Sequence, residues 1–181
     1  MIFQILNFLL QITVSVVAGA CILRCYLQWL GFNLGIGQGK SLATYLLPIT
    51  NWLVLPLRKV TPSVGRLDSA SLLAAYIVVL LKAIAVATLI SIPLEVLPLL
   101  IFSLLDLLQM TLSGLIGLVF ASVLLSWVGP GSQMQIILGI LVEPVLAPIR
   151  RRLPNSGAWD LSPVVLLVLL QVLQIVLNNL K

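Results

Sequence analysis

The stretch PLRKVTPSVGRLD at residues 56–68 returns as PIRRRLPNSGAWD at residues 148–160. Pro56, Arg58, Pro62, Gly65 and Asp68 recur at one constant offset as Pro148, Arg150, Pro154, Gly157 and Asp160. In a chain otherwise dominated by Leu, Val and Ile, these identities in one register point to an internal duplication. The flanks repeat as well. Leu9-Leu10-Gln11-Ile12-Thr13-Val14-Ser15 is answered by Leu107-Leu108-Gln109-Met110-Thr111-Leu112-Ser113, Gly19 by Gly117, and Trp29 by Trp127. The upstream offset is six residues longer than the motif's, so the first copy carries a six-residue insertion between Trp29 and Pro56. A fixed internal period decides architecture before local propensity does. It predicts two tandem units, residues 1–92 and 99–181, joined by a short turn at 93–98 where Pro93 and Pro98 break the helix on both sides.

Composition sets the solvent. The chain is 61% hydrophobic and 8% charged, with a mean hydropathy of +1.21, whereas a soluble surface needs roughly a quarter to a third charged side chains. The expected class is an all-α integral membrane protein. Ten Lys and Arg against five Asp and Glu give a net charge of +5, which in such a chain is first a topology signal. Nucleic-acid binding needs a basic soluble face with polar or aromatic readers, and the sequence has none. There is no histidine, so the commonest metal ligand and general base is missing. Cys21 and Cys25 are the only thiols, four apart in an apolar stretch, and read as small packing residues. No metal, cofactor or catalytic residue is expected. Met1 to Leu23 contains no Lys or Arg, so the N-terminus lacks the basic n-region of a signal peptide, and Met1 is expected to be retained.

Each unit reads as a transmembrane helix, a short interfacial or re-entrant helix, and a second transmembrane helix. Ile2 to Leu30, Ser69 to Ile92, Leu99 to Val128 and Leu161 to Leu180 are each long enough to cross a bilayer, which takes about 20 apolar residues. Arg24, five residues before Trp29, is expected to snorkel to the interface. Gly31 to Lys40 reads as a turn. Leu42 to Leu57 and Met134 to Leu146 contain Pro48 and Pro56, and Pro144. They look too short and too broken to span, so they are expected to dip.

The repeated motif has a physical reading of its own. Its prolines are expected to stop the short helix. Arg58-Lys59 and Arg150-Arg151-Arg152 would then lie against anionic lipid headgroups, each worth about 1 kcal/mol. Gly65 and Gly157 permit a positive-φ turn, and Asp68 and Asp160 precede apolar runs where a side-chain oxygen caps a helix. A lipid anchor plus helix cap accounts for most of the motif; recognition of a partner is the other reading. Lys40, Arg58, Lys59 and Arg66 lie in one motif loop and Arg150 to Arg152 in the other, while the 93–98 turn has no Lys or Arg. The positive-inside rule puts both loops in the cytoplasm and both termini outside. The two units then share one orientation, a parallel duplication about an axis along the membrane normal.

Two charges fall inside predicted spans. Lys82 is eleven residues before Pro93 and Asp106 eight after Pro98, about 16 and 12 Å from the same face. Charges at such depth are costly and usually paired or functional, and an ion pair across a helical hairpin is one reading, snorkelling or separate partners the others. Lys82 aligns with Gln174 and Asp106 with Phe8, so only one half carries them. Ser15 with Gly19, and Ser113 with Gly117, form small-xxx-small faces suited to close helix packing.

At these residues the chain resembles the YggT family of small bacterial membrane proteins, with YlmG-type relatives in cyanobacteria and plastids. The family pattern of Pro, Leu, Arg, Arg, Pro, Gly and Asp-x-Ser reads here as Pro56, Leu57, Arg58, Lys59, Pro62, Gly65 and Asp68-Ser69-Ala70. It reads again as Pro148, Ile149, Arg150, Arg151, Pro154, Gly157 and Asp160-Leu161-Ser162. The first copy departs in placing Ser directly after Asp68, and Gly31 to Gly39 stands where many relatives carry an Arg-Ala-Asp and Tyr-Asn-Pro stretch. The resemblance implies a multi-pass protein of the bacterial inner membrane. Its relatives are linked to osmotic stress and potassium uptake, to cell division or nucleoid distribution, and in plastids to assembly of cofactor-bearing membrane complexes. Two functions follow as expectations. One is a non-enzymatic scaffold or assembly factor, with a membrane-protein partner or a second copy of itself. The alternative is a component of ion or osmotic homeostasis, such as potassium uptake or a small transporter or channel.

Overall fold

The computed structural model describes residues 1–31, 38–61, 67–90, 95–152 and 160–180. Among the described residues there are six helices: α1 (Ile2–Trp29), α2 (Gln38–Arg58), α3 (Ser69–Leu89), α4 (Val96–Val128), α5 (Gln133–Arg150) and α6 (Ser162–Asn179). The cause is the solvent that the composition demands. In hydrocarbon an unpaired backbone amide costs several kcal/mol, and a helix pairs each one within its own segment.

Five of these helices, α1, α3, α4, α5 and α6, are long and apolar enough to cross a membrane. In none of them is more than 22% of the most apolar window buried, so their Leu, Ile and Val side chains face outward in numbers that only lipid tolerates. The chain is a multi-pass membrane protein. Four spans were expected; α5, expected only to dip, also meets the length and apolarity that a span needs. Its 18 residues reach about 27 Å at helical rise, close to the hydrocarbon thickness.

The prolines do not end the short helices. Pro48 and Pro56 lie inside α2, and Pro144 and Pro148 inside α5. Each proline removes one hydrogen bond and bends the axis, but the turns on either side continue when they are otherwise held. Termination comes later, at the basic run. In α2, Lys59 and Val60 amides turn back to the carbonyls of Pro56 and Leu57, and the Thr61 hydroxyl also donates to Leu57.

Other ends follow local chemistry. Gly31, at φ +74°, takes the left-handed position just past α1, where an L side chain would be strained. Ser132 caps α5 by accepting from the Gln135 amide, and the Gln135 side chain accepts from the Gly131 amide. This is close to a capping box. The turn expected at 93–98 is shorter than its prolines suggested, because Val96, Leu97 and Pro98 are the first residues of α4. A proline there removes an amide that has no intrahelical partner in any case. α2 begins at Gln38, within the stretch expected as a turn up to Lys40.

The chain forms two compact units, Met1–Met110 and Thr111–Lys181. In the first, Val14, Ala18 and Cys21 of α1 share one helix face and pack with Val54 of α2, Ala70, Ala74 and Val79 of α3, and Leu107. The small residues in this set let α1 and α3 approach closely. Both cysteines are buried and free. In the second unit Val119 packs with Val142 and Leu146 of α5 and with Leu166 and Leu170 of α6.

Candidate functional site

The polar centre of the first unit is Asp68, which is fully buried. Its Oδ2 accepts from Arg58 Nη2 at 2.7 Å and from Ser71 Oγ at 2.7 Å. Arg24 Nε stands 3.8 Å from the same oxygen. Sequence places each group: Arg58 is the last residue of α2, Asp68 immediately precedes α3, and Ser71 is three residues further, facing back. Arg24 follows Cys21 by three residues and so lies on the packed face of α1.

Arg24 therefore does not snorkel. It is 4% exposed, and Nη1 donates to Thr50 Oγ1 at 2.8 Å and Asn51 Oδ1 at 2.7 Å. Thr50 is free to accept because its own hydroxyl proton goes to the Leu46 carbonyl. A guanidinium is retained inside only where a counter-charge and acceptors replace its water. Here α2 supplies the acceptors and Asp68 the charge. Arg58 also donates weakly to Gln28 Oε1, at 3.3 Å.

Asp68 does not cap α3 with its side chain. The two arginines and Ser71 claim the carboxylate instead. Burial pushes the Asp68 pKa upward, but the hydrogen bonds from Ser71 and Arg58 and the charges of Arg58 and Arg24 outweigh it and hold the group below the ordinary carboxylate value. Asp68 Oδ1 and Arg24 Nε are buried without a hydrogen-bond partner among the described residues.

The second unit builds a related but more open arrangement. Asp160 Oδ2 accepts from Arg150 Nε at 2.8 Å and lies 2.7 Å from Arg150 Nη2, a two-pronged contact. Arg150 Nη1 donates to Glu143 Oε2 at 2.7 Å. Asp160 Oδ1 accepts from the Ser162 amide at 3.0 Å, so this Asp does satisfy a helix-start amide. Burial is the largest single influence and raises its pKa, but the hydrogen bonds from Ser162 and Arg150 and the Arg150 charge together outweigh it and leave the group below the ordinary carboxylate value. The Asp160 side chain is 43% exposed, against 1% for Asp68. In both units an Arg ends a helix and an Asp ten residues later clasps it. Chemically, the pair ties the end of one helix to the start of the next.

The remaining sequence-predicted residues distribute as follows. Lys59, Arg151 and Arg152 are exposed, with no ion pair among the described residues. Pro56 and Pro148 lie within the last turn of their helices, while Pro62, Gly65, Pro154 and Gly157 lie outside the described residues. Lys82 Nζ donates to Asp106 Oδ2 at 2.9 Å, joining α3 to the first half of α4. A Cβ built on Gly19 or Gly117 would meet no heavy atom within 4 Å, so neither glycine is needed for a close approach within the chain.

Sequence reasoning missed Arg24, Thr50, Asn51 and Ser71 as one cluster, and Glu143 as a partner of Arg150. The signal that could have found the clasp is the shared spacing Arg58 to Asp68 and Arg150 to Asp160. For Arg24 it was the charge on the Cys21 face.

The model of the CCB3/YggT family matches this chain over residues 3–89 and again over residues 101–180. The chain belongs to the CCB3/YggT family. Among its relatives, the Escherichia coli K12 protein described as "Uncharacterized protein YggT" is 34% identical over 170 residues, covering 93% of this chain and 86% of that protein. A Haemophilus influenzae relative is 32% identical over 159 residues, covering 87% of this chain and 81% of its own length. A Vibrio alginolyticus relative is 35% identical over 131 residues, 70% of each chain. No solved structure matches this YggT-family chain.

Proposed function

We propose that this YggT-family protein is a non-enzymatic scaffold or assembly factor of the bacterial inner membrane. In this reading it consists of two copies of one unit, residues 1–92 and 99–181, with α2 and α5 dipping into the membrane rather than crossing it, the basic loops at the cytoplasmic surface and both termini on the opposite side. The observation that carries it is the use made of the basic runs. In each, the leading arginine is taken by its Asp clasp, which leaves Lys59, Arg151 and Arg152 exposed beside a braced helix end. Such a fixed set of cations suits anionic headgroups or an acidic segment of a membrane-protein partner.

Three things support the duplication. The family matches twice, the clasp occurs in both units, and buried side chains fall in one register. Cys21, Val54 and Ala74 in the first core correspond by the sequence offsets to Val119, Leu146 and Leu166 in the second. The transport reading draws less support, because Lys82 and Asp106 compensate each other.

The test is purification of the tagged chain from native membranes in mild detergent, beside a variant carrying Lys59→Ala, Arg151→Ala and Arg152→Ala. A stoichiometric partner that the variant loses while keeping its helical content is expected. Recovery of the chain alone as a homo-oligomer, with ion flux in liposomes sensitive to Lys82 and Asp106 substitutions, would overturn the scaffold reading.

A further inference from the structure

The second unit contains a cleft of about 430 Å³ whose polar lining includes Ser122, Ser126, Gln135, Arg150 and Asp160. The volume is within the roughly 300–1,000 Å³ of small-ligand sites. The repeat register says what is missing from it. The offset that takes Leu9 to Leu107 and Trp29 to Trp127 takes Arg24 to Ser122 and Gln28 to Ser126. The motif offset takes Thr50 to Val142, Asn51 to Glu143, Arg58 to Arg150 and Asp68 to Asp160. Ser122, Val142, Arg150 and Asp160 all line the cleft. The cleft therefore occupies, in the second unit, the place that the Arg24 side chain fills in the first.

Charge changes in the same direction. In the first unit two guanidiniums, Arg24 and Arg58, share one carboxylate, Asp68. In the second, one guanidinium, Arg150, lies between two carboxylates, Asp160 and Glu143. Where the first unit uses the neutral acceptor Asn51 to hold Arg24, the second has an acid. The cleft has thus lost one cation from its lining, which keeps Arg150 and Asp160, and Glu143 adds an anion behind Arg150.

We infer that the cleft of the second unit is a receptor for a guanidinium group supplied from outside the chain, either as the arginine side chain of another protein or as a small free guanidinium compound. Asp160, the acid in the lining, provides the counter-charge, while Glu143 outside the lining offsets part of the Arg150 charge; Ser122, Ser126 and Gln135 provide neutral acceptors, and apolar walls such as Val119 and Leu146 receive the alkyl stem. A planar fork of donors is better matched than a point charge to several acceptors disposed around one volume. The inference rests on the duplication reading for its register.

The test uses the full chain in mild detergent and calorimetric titration with ethylguanidinium, at concentrations far below denaturing ones. Saturable binding at one equivalent is expected, with tetramethylammonium, which has charge without donors, and urea, which has donors without charge, each binding at least tenfold more weakly. Ser122→Arg, which fills the cleft with the chain's own guanidinium, and Ser122→Leu, which fills it with an apolar group, should each abolish the binding. At a hundred times its Kd the probe should favour the folded state about 100-fold in the wild type.

Two model compounds separate the sources. Tighter binding of N-acetyl-arginine methylamide than of agmatine assigns the site to a protein side chain, and the reverse assigns it to a free small cation. Absence of saturable binding, or binding that both Ser122 variants retain, overturns the inference. Arg24→Ser then separates this failure from failure of the register. Rescue of that variant's thermal stability by ethylguanidinium shows that the first site is as described while the second takes no guanidinium.

Discussion

Replacing Asp68 by Asn removes the one negative charge that two arginines share. The carboxylate is buried, hydrogen-bonded at 2.7 Å to Arg58 and at 2.7 Å to Ser71, and faces Arg24 at 3.8 Å. Arg24 cannot reach water, its side chain being 5% exposed, so the substitution leaves a buried and uncompensated guanidinium. Breaking a buried pair from one side costs about 3–5 kcal/mol, a large share of the ~5–15 kcal/mol that holds a domain together. The matching substitution, Asp160→Asn, acts on a pair in which both side chains are more than 40% exposed, and solvent screening limits its cost to about 1 kcal/mol or less. Unfolding of both variants in mixed micelles of mild detergent and dodecyl sulfate, followed by circular dichroism, should therefore separate them by at least about 2 kcal/mol. Adding Arg24→Met to Asp68→Asn removes the stranded charge while keeping an apolar stem, and should restore part of the loss. If Asp68→Asn costs no more than Asp160→Asn, or the added Arg24→Met makes matters worse by its full single-variant cost, the buried cluster is not what holds the first unit.

Three further outcomes are expected. Asp106→Asn and Lys82→Gln should each destabilise by about 1.5–3 kcal/mol, as for a hydrogen bond between charged groups, and the double variant should recover some of the sum; strict additivity in the same micelle assay would show that the pair at 2.9 Å carries no coupling. Asp68 and Asp160 have folded pKa values below the ordinary carboxylate value, so their stabilisation is complete above the unfolded pKa. It is lost as pH falls through the lower folded values, because the unfolded state then binds the extra protons; a stability profile that rises on acidification in that window would contradict this. Gly19→Ala and Gly117→Ala should raise thermal stability by about 0.5–1 kcal/mol each, the ordinary helix gain, since their added methyl groups meet nothing in the chain. Destabilisation with loss of an oligomer on sizing would instead place those faces between copies.

Much of the fold was legible because the bilayer makes its demands locally. Uninterrupted apolar runs announce helices, and α1, α3, α4 and α6 lie within three residues of the expected ends. What failed was the weight given to proline. Pro56 and Pro148 read as stops and Pro48 and Pro144 as breaks because a soluble helix would fail there, but in a membrane the alternative to a bent helix is unpaired backbone, which costs more. The Arg–Asp clasp was half legible, since its partners are ten residues apart in both units, but reading Asp68 as a cap used only its neighbours in sequence. Arg24 was misread for a related reason. Its acceptors Thr50 and Asn51 are 26 and 27 residues away, and no periodicity along α1 reports what α2 turns toward it.

The two units also differ in how far their polar groups are spent. A unit whose central carboxylate is sealed by two arginines and a serine has its polar groups largely spent internally, and its burial makes every member costly to change. That suits a structural half. In the second unit the side chains of Arg150, Glu143 and Asp160 are each more than 40% exposed, so its charges stay in reach of solvent. A cleft beside partly exposed charges offers a ligand more than a sealed cluster does, which turns the search for a partner toward the second half, and to Ser122 and Asp160.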